Sequence, residues 1–554
     1  MTANLFDYFE ELAIESGTPA RWAARAPRRP QRDYDIKLIP RAADWRGDAD
    51  SVAALQRIER EPWAASVIRD GDAVRLRLAD EWVELAGAAL EAGGSCEAEL
   101  SDLAQGQRLS VQFWDANATK ALHVGHLRNL AIGNALASAL AQAGAQVERR
   151  SRISDMGRAM GEAIAGVVQS GRAAQGWSHG EEKSDHFVGM CYAEYVAATG
   201  SLAAGQAEQA EDSLSRETLV HGDAADEVIK RVLRGEREAV ELWYKTRAWV
   251  IAGQRKTLAW LGIAFDRVLF ESDYLAETAE LTELGVRSGV LRRREDGVIV
   301  YETGLQELAE LALVRADGLS TQHMRSLTYA LTGPELDGMS SLQVTGSEWV
   351  SHVTSIRKLA AELRPELNGG FHPGRSIFHG MVSSRERAVS SSAGALLIDE
   401  LLEWLDAQID ADPQRREARR GHPRPERIAA QIVLGYFLPH APAPDMDFDP
   451  DRLLCERESL GWDLVRARAR HSRGTAREQR PAEDRDYRFA VLQSELYRRY
   501  LRLAAQRLDV RPLAHYLKHL SQWYVERERS EAVERVVHTL LDRSARGLGL
   551  EAGS

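Results

Sequence analysis

Leu109-Ser110-Val111-Gln112-Phe113-Trp114 reads as a strand, and His123-Val124-Gly125-His126 follows it after a short loop. From Leu127 to Ala143 small and apolar residues recur at helical spacing, and the run stops at Gly144. Gln146-Val147-Glu148-Arg149-Arg150 is a second short strand. Strand, helix, strand with tight connections is the pattern of a parallel α/β unit. His123 and His126 therefore stand at the start of a helix that leaves a sheet. Such helix starts offer free N–H groups and a positive dipole end to phosphate. Gly125, without a Cβ, lets a flat ring approach the backbone. Two imidazoles beside phosphates can donate hydrogen bonds to charge that develops in phosphoryl transfer. Zinc is the rival ligand of a His-x-x-His pair. No third cysteine or histidine lies nearby in the sequence, so no metal site is expected.

Outward from this unit the chain divides into three parts. Residues 1–104 read as a small α+β module. Within it Ala73 to Leu78 alternates like a strand after the Asp70-Gly71-Asp72 turn, and Glu81 to Ala92 reads as a helix. Residues 105–412 carry the α/β unit and helical insertions. Residues 158–262 are mostly helical, with a polar loop at 172–184 and a long amphipathic run from Glu236 to Leu261 that ends at Gly262. Strand-like pieces return at Val298–Tyr301 and Ser341–Val344. The Arg- and Pro-rich stretch Pro413–Pro425 reads as a boundary. Residues 413–554 form an all-helical end, helices only from Ile428 onward, with a polar linker at 472–486.

Composition bounds the class. Of 554 residues, 44% are hydrophobic and 28% charged, as in a globular protein. No stretch approaches the roughly 18 apolar residues of a membrane span. The acidic start MTANLFDYFEELAIESG lacks the pattern of a signal peptide. Cys96, Cys191 and Cys455 are too few and too scattered for a disulfide framework, so a cytoplasmic protein is expected. The net charge of −12 argues against a generic nucleic-acid coat. Residues 451–554 nevertheless hold 21 Lys+Arg against 16 Asp+Glu, and all but one of those cations are arginine. Such an end suits either a phosphate backbone or a set of solvated helix faces.

Asn117-Ala118-Thr119-Lys120-Ala121-Leu122-His123-Val124-Gly125-His126-Leu127-Arg128 resembles the signature segment of the arginyl-tRNA synthetases, a class I aminoacyl-tRNA synthetase family. The likeness continues, in order, through Ala131–Leu136, Ile153-Ser154-Asp155-Met156-Gly157, Glu271–Tyr274, Gly380-Met381-Val382, Phe448–Arg470 and Leu513–Leu517 to Leu548–Ala552. The resemblance implies a Rossmann-like catalytic domain, an all-α anticodon-binding-type domain at the C-terminus and a reduced N-terminal module. It implies a reaction as well: ATP, with Mg2+, activates an amino acid as an aminoacyl adenylate, and the acyl group passes to tRNA. By resemblance His123, His126 and Lys120 are catalytic. His123, Gly125, His126, Gly380, Met381 and Val382 bind ATP. Asn117 and Asp155 line the amino-acid pocket.

The chain departs from the family at two places. Where a lysine-rich signature loop belongs, after Gly380-Met381-Val382, stands Ser383-Ser384-Arg385-Glu386-Arg387-Ala388-Val389-Ser390-Ser391-Ser392-Ala393-Gly394, without lysine. Lys120 matches the lysine that compensates in family members with a degenerate loop. The amino-acid pocket also differs. The family's acid in the strand before the signature is here Gln112, its pocket tyrosine Gln322, its second acid Ser326 and its pocket glutamine Trp349. Arginine needs carboxylates, because guanidinium is always charged and pairs bidentately with them. A different amino acid is therefore expected. Three readings stay open: a divergent paralogue that charges tRNA, a ligase that hands the acyl group to a small amine, alcohol or carrier protein, and a non-catalytic regulatory protein on a synthetase scaffold.

Overall fold

The computed structural model describes residues 5–6, 22–40, 49–71, 73–92, 103–172, 183–199, 222–305, 308–332, 338–363, 374–383, 396–455, 459–470, 481–526 and 528–551. Among the described residues the N-terminal module is a four-stranded antiparallel sheet flanked by helices. Strands β1 (Trp22–Arg25), β2 (Ile36–Pro40), β3 (Ala64–Asp70) and β4 (Ala73–Leu78) lie in the order β1-β2-β4-β3, with α1 (Ala49–Glu59) and α2 (Asp80–Glu91). The expected strand and helix at 73–92 are both present. The apolar residues Val74, Leu76 and Leu78 alternate inward from β4, which places that face in the core.

The central unit follows the reading of its sequence. β5 (Arg108–Gln112) feeds a loop, the turn Val124–His126 and α3 (Leu127–Gln142), and β6 (Gln146–Ile153) pairs parallel to β5. Then come α4 (Arg158–Gln169), α5 (Ser184–Ala198), α6 (Ala224–Leu233), α7 (Arg237–Leu261) and β7 (Arg267–Phe270), parallel to β6. The segment α8 (Leu275–Ser288), β8 (Arg292–Arg293), β9 (Ile299–Glu302), β10 (Glu310–Val314) and α9 (Gln322–Thr332) adds a small antiparallel sheet. The chain returns as β11 (Ser340–Gly346), α10 (Val350–Leu363) and β12 (Arg375–His379), parallel again. The five-stranded order β12-β11-β5-β6-β7 is that of a doubly wound Rossmann-like sheet. Its topological switch point lies between β5 and β11, and open α/β sheets bind ligands at the carboxyl ends of such strands.

Two boundaries moved for identifiable reasons. β5 ends at Gln112 rather than Trp114, because side chains take the next carbonyls out of the ladder. Asn129 Nδ2 donates to the Phe113 carbonyl at 2.9 Å, and Ser151 Oγ donates to that of Trp114. β6 runs on to Ile153 because β7 gives it a partner as far as Phe270.

From Val382 onward the chain is mostly helical: β13 (Val382–Ser383), α11 (Ile398–Ala411), α12 (Pro413–Gly421), α13 (Ile428–Phe437), β14 (Met446–Asp447), α14 (Leu460–Ala469), α15 (Arg485–Arg507), α16 (Arg511–Val525) and α17 (Glu531–Gly547). The expectation of helices alone after Ile428 is corrected by β14, a two-residue strand parallel to β13. Pro413–Pro425, expected as a boundary, is largely the helix α12, with Pro413 in its first turn and Asp412 capping it. Of the expected linker at 472–486, Pro481–Glu483 is a helical turn and Arg485 already opens α15, while 471–480 lie outside the described residues.

α3 is the keel of the molecule. It is buried nearly all round, between the parallel sheet and α13, α15 and α17. Its small residues permit that closeness: a Cβ on Gly133 would sit 2.1 Å from Cβ of Phe113. The N-terminal module docks on the helical end through buried Arg488 of α15. That guanidinium donates to Asp35 at 3.1 and 2.7 Å and also to Asp80 and the Leu78 carbonyl.

Candidate active site

The loop from β5 to α3 carries two neighbouring clusters. The first is the signature turn. The backbone N–H of His123 donates to Nδ1 of His126 at 3.1 Å. The same Nδ1 lies 3.2 Å from the His123 carbonyl, which can only accept, so the two contacts belong to opposite tautomers and the neutral ring carries one proton in either. The two rings lie 4.1 Å apart between centroids, and Nδ1 of His123 is buried without a partner. Burial, reinforced by His126 and Lys120, holds the His123 imidazole well below its usual pKa. Burial and then Lys120 push His126 down to about 4. Both rings are thus neutral at pH 7 and can each offer one N–H donor.

Lys120 is half-buried, and burial lowers its ammonium to about 8. It is therefore cationic at pH 7 and loses its charge as pH rises through 8. If its charge holds a polyphosphate, the apparent KM for ATP should be flat below pH 7 and climb about tenfold between pH 7 and 9. Lys120→Arg should abolish the climb, and steady-state kinetics across pH would read it.

Arg128, at the start of α3, ties this turn to the C-terminal part. Its guanidinium is buried and donates to the carbonyls of Gly380 at 2.8 Å, Pro444 at 2.7 Å and Ala441 at 2.7 Å. Gly380 is set by the same contact: a Cβ there would lie 2.3 Å from the Pro444 carbonyl carbon. Met381 is exposed with its N–H on Asp445, and Val382 is buried in β13. Gly380, Met381 and Val382 thus form the root of the serine-rich segment. Arg385 and Arg387 of that segment lie outside the described residues.

The second cluster stands at the switch point. Gln112, at the end of β5, donates its amide to both oxygens of Asp115 at 2.9 and 2.8 Å, and Gln343 of β11 adds a third N–H at 3.2 Å. Arg152 of β6 donates from Nη1 to Ser326 Oγ at 2.8 Å and lies over the Tyr329 ring at 5.4 Å. His352 approaches Ser326 through Nε2 at 3.4 Å. Its Nδ1 meets Nδ1 of His323 at 2.6 Å, and Trp349 abuts its ring. Burial lowers His323 to about 4 and His352 well below its usual range.

Of the expected pocket residues, Gln112, Ser326 and Trp349 thus come together. Gln322 is half-buried at the start of α9. Asn117 is exposed, bridged through its backbone to Ser154. Asp155 is fully buried with partners of its own: Ser272 through N–H at 3.0 Å and Oγ at 2.6 Å, and Arg247 at 2.8 Å. Asp115, Arg152, His323, Tyr329, Gln343 and His352 were not anticipated. Asp115 also revises the picture of a site without acids, because a carboxylate stands three residues beyond Gln112.

Among the described residues, Asp185, His186 and Asp399 form a trio with metal-ligand spacing, their ligating atoms within 4.8 Å of one another. Lys183 Nζ already bridges both carboxylates, at 3.1 and 2.6 Å, so the cluster is a charge-matched joint between helices. No described helix is long and apolar enough to cross a membrane.

Residues 95–182 match the family model described as "tRNA synthetases class I (R), catalytic domain". The chain is 27% identical over 370 residues to the arginine–tRNA ligase of Treponema pallidum subsp. pallidum, covering 64% of this chain and 58% of that protein. It is 30% identical over 374 residues to that of Amoebophilus asiaticus, covering 62% and 59%. The match therefore spans less than two thirds of these relatives' length. Among solved structures, the Thermus thermophilus arginyl-tRNA synthetase superposes with a TM-score of 0.63 over 99% of each chain at 20% identity. The Plasmodium falciparum arginyl-tRNA synthetase gives 0.62 at 14% identity, over 99% of this chain and 98% of that one.

Proposed function

We propose that this chain, which is similar to the arginyl-tRNA synthetases of class I, activates an amino acid with ATP as an aminoacyl adenylate and transfers the acyl group. The observation that carries this reading is the pair of half-buried, neutral imidazoles of His123 and His126 beside the Lys120 ammonium, at the start of α3. Two neutral donors and one cation suit a triphosphate whose charge grows on the bridging oxygen as pyrophosphate leaves. His123 Nδ1, buried and unpartnered, is a donor or acceptor left for a ligand. Mg2+ enters bound to the ATP phosphates, as part of the substrate. Residues 105–412 are the catalytic part in this reading, 413–554 the anticodon-binding-type part and 1–104 the additional module. The cytoplasm, where tRNA and ATP are found, is the proposed compartment, and Cys191 and Cys455 are free thiols.

By family default the acyl acceptor is tRNA. A second reading, transfer to a small amine, alcohol or carrier protein, draws on where the C-terminal arginines point. Arg466 donates to buried Asp463 at 2.8 Å, and Arg468 is buried against Asp542 and Glu551. Arg470 donates to the Tyr524 carbonyl and lies over that ring. These cations serve the fold rather than an open phosphate track. Arg468→Ala should therefore lower stability by about 2–3 kcal/mol. It should leave the salt dependence of any tRNA binding unchanged. Denaturant melts and a salt-titrated binding assay separate the two effects. Pyrophosphate exchange with and without tRNA, followed by acylation assays, tests the reading as a whole.

A further inference from the structure

We propose that Arg152 reads the substrate side chain, and that the amino acid taken carries a carboxylate side chain, as aspartate or glutamate do, rather than a guanidinium. The proposal rests on the adenylation reading and names its substrate class. Arg152 is half-buried at the carboxyl end of β6, beside the switch point. Its guanidinium spends one donor on Ser326 Oγ at 2.8 Å. Among the described residues no carboxylate pairs with it, and Nε and Nη2 carry no hydrogen bond. A guanidinium in this setting has a fork of donors left for a planar acceptor. The Tyr329 hydroxyl, on a ring that Arg152 overlies, is likewise buried without a partner.

The rest of the cluster points the same way. His323 and His352 present neutral rings and no negative charge. Ser326 is already bonded to the protein's own guanidinium, so a substrate guanidinium brought there would meet a like charge. Asp115 is the counterpart. Its oxygens accept three side-chain amide bonds and, at 3.4 Å, the Arg152 backbone N–H, and no cationic side chain pairs with it among the described residues. It suits the ammonium of an amino acid. A substrate with its ammonium on Asp115 and its side-chain carboxylate on Arg152 leaves the α-carboxylate free to attack ATP. Arginine laid across the same two groups would tie its α-carboxylate to Arg152, away from the imidazoles.

The test is ATP–pyrophosphate exchange by the full chain, with and without unfractionated tRNA. The panel is aspartate, glutamate, asparagine, glutamine, arginine and alanine. An acidic amino acid should exceed its amide and arginine by at least 100-fold in kcat/KM. Arg152→Met should remove that preference mainly through KM, and Arg152→Lys should restore part of it. Calorimetric titration of wild type with glutamate, aspartate and arginine gives the same ranking without relying on a variant that folds. Exchange that favours arginine or a neutral amino acid overturns the proposal and leaves the adenylation reading standing. Silence with every amino acid, tRNA present, overturns both.

Discussion

Replacing both His123 and His126 by alanine is expected to lower ATP–pyrophosphate exchange by about 10³-fold or more, with little change in the apparent KM for ATP. Each ring offers one preorganised donor in a half-buried turn, and losing one such donor costs on the order of 10²–10³ in kcat. The loss should fall on kcat because the donors meet charge that appears only as the phosphate bond breaks. His126 has a second duty, since its Nδ1 receives the His123 N–H at 3.1 Å. His126→Asn retains an acceptor for that N–H and removes the ring donor. It should fold as wild type and still lose activity, whereas His126→Ala should also lose about 1 kcal/mol of stability. Stopped-time exchange assays and denaturant melts on the same preparations separate these effects.

Arg128→Ala should be the most damaging single change to the fold around the site. The side chain is buried and supplies three hydrogen bonds to carbonyls of Gly380, Ala441 and Pro444. Removing it leaves those acceptors unmatched and opens a cavity between α3 and the segments that lead into β13 and β14. A loss of about 3–5 kcal/mol is expected. Arg128→Lys should recover only part, because an ammonium cannot reach three carbonyls with a planar fork. Since the same bonds seat the Gly380-Met381-Val382 root, ATP affinity should fall alongside stability. Loss of stability with unchanged ATP affinity would show that this root does not serve the nucleotide.

The α/β unit was legible because its signals are local. A strand, a tight loop, a small-residue helix ending at Gly144 and a second strand fall within about forty residues, and each obeys its own period. The signature turn was legible for the same reason: His123, Gly125 and His126 are neighbours in the chain. The cluster at the switch point was only partly so. Gln112, Ser326 and Trp349 were reached through their places in a family pattern. Asp115, Arg152, Gln343 and the His323–His352 pair meet only when β5, β6, β11, α9 and α10 converge, and no spacing in the sequence reports that. The arginines of the C-terminal part were visible as a charge excess, yet composition cannot say which way a side chain faces. Arg468, Arg488, Arg498, Arg529 and Arg543 turn inward. β14 escaped because two residues carry no period.

The central claim is that this chain makes an aminoacyl adenylate at the turn formed by His123, Gly125 and His126. ATP–pyrophosphate exchange by the full chain across a panel of amino acids, with tRNA supplied and withheld, tests it most directly. The account predicts exchange that depends on the amino acid, falls by about 10³-fold or more in the His123→Ala, His126→Ala double variant and climbs in KM for ATP as pH rises from 7 to 9. Absence of exchange with every amino acid, in a protein that melts cooperatively and with tRNA present, would contradict it.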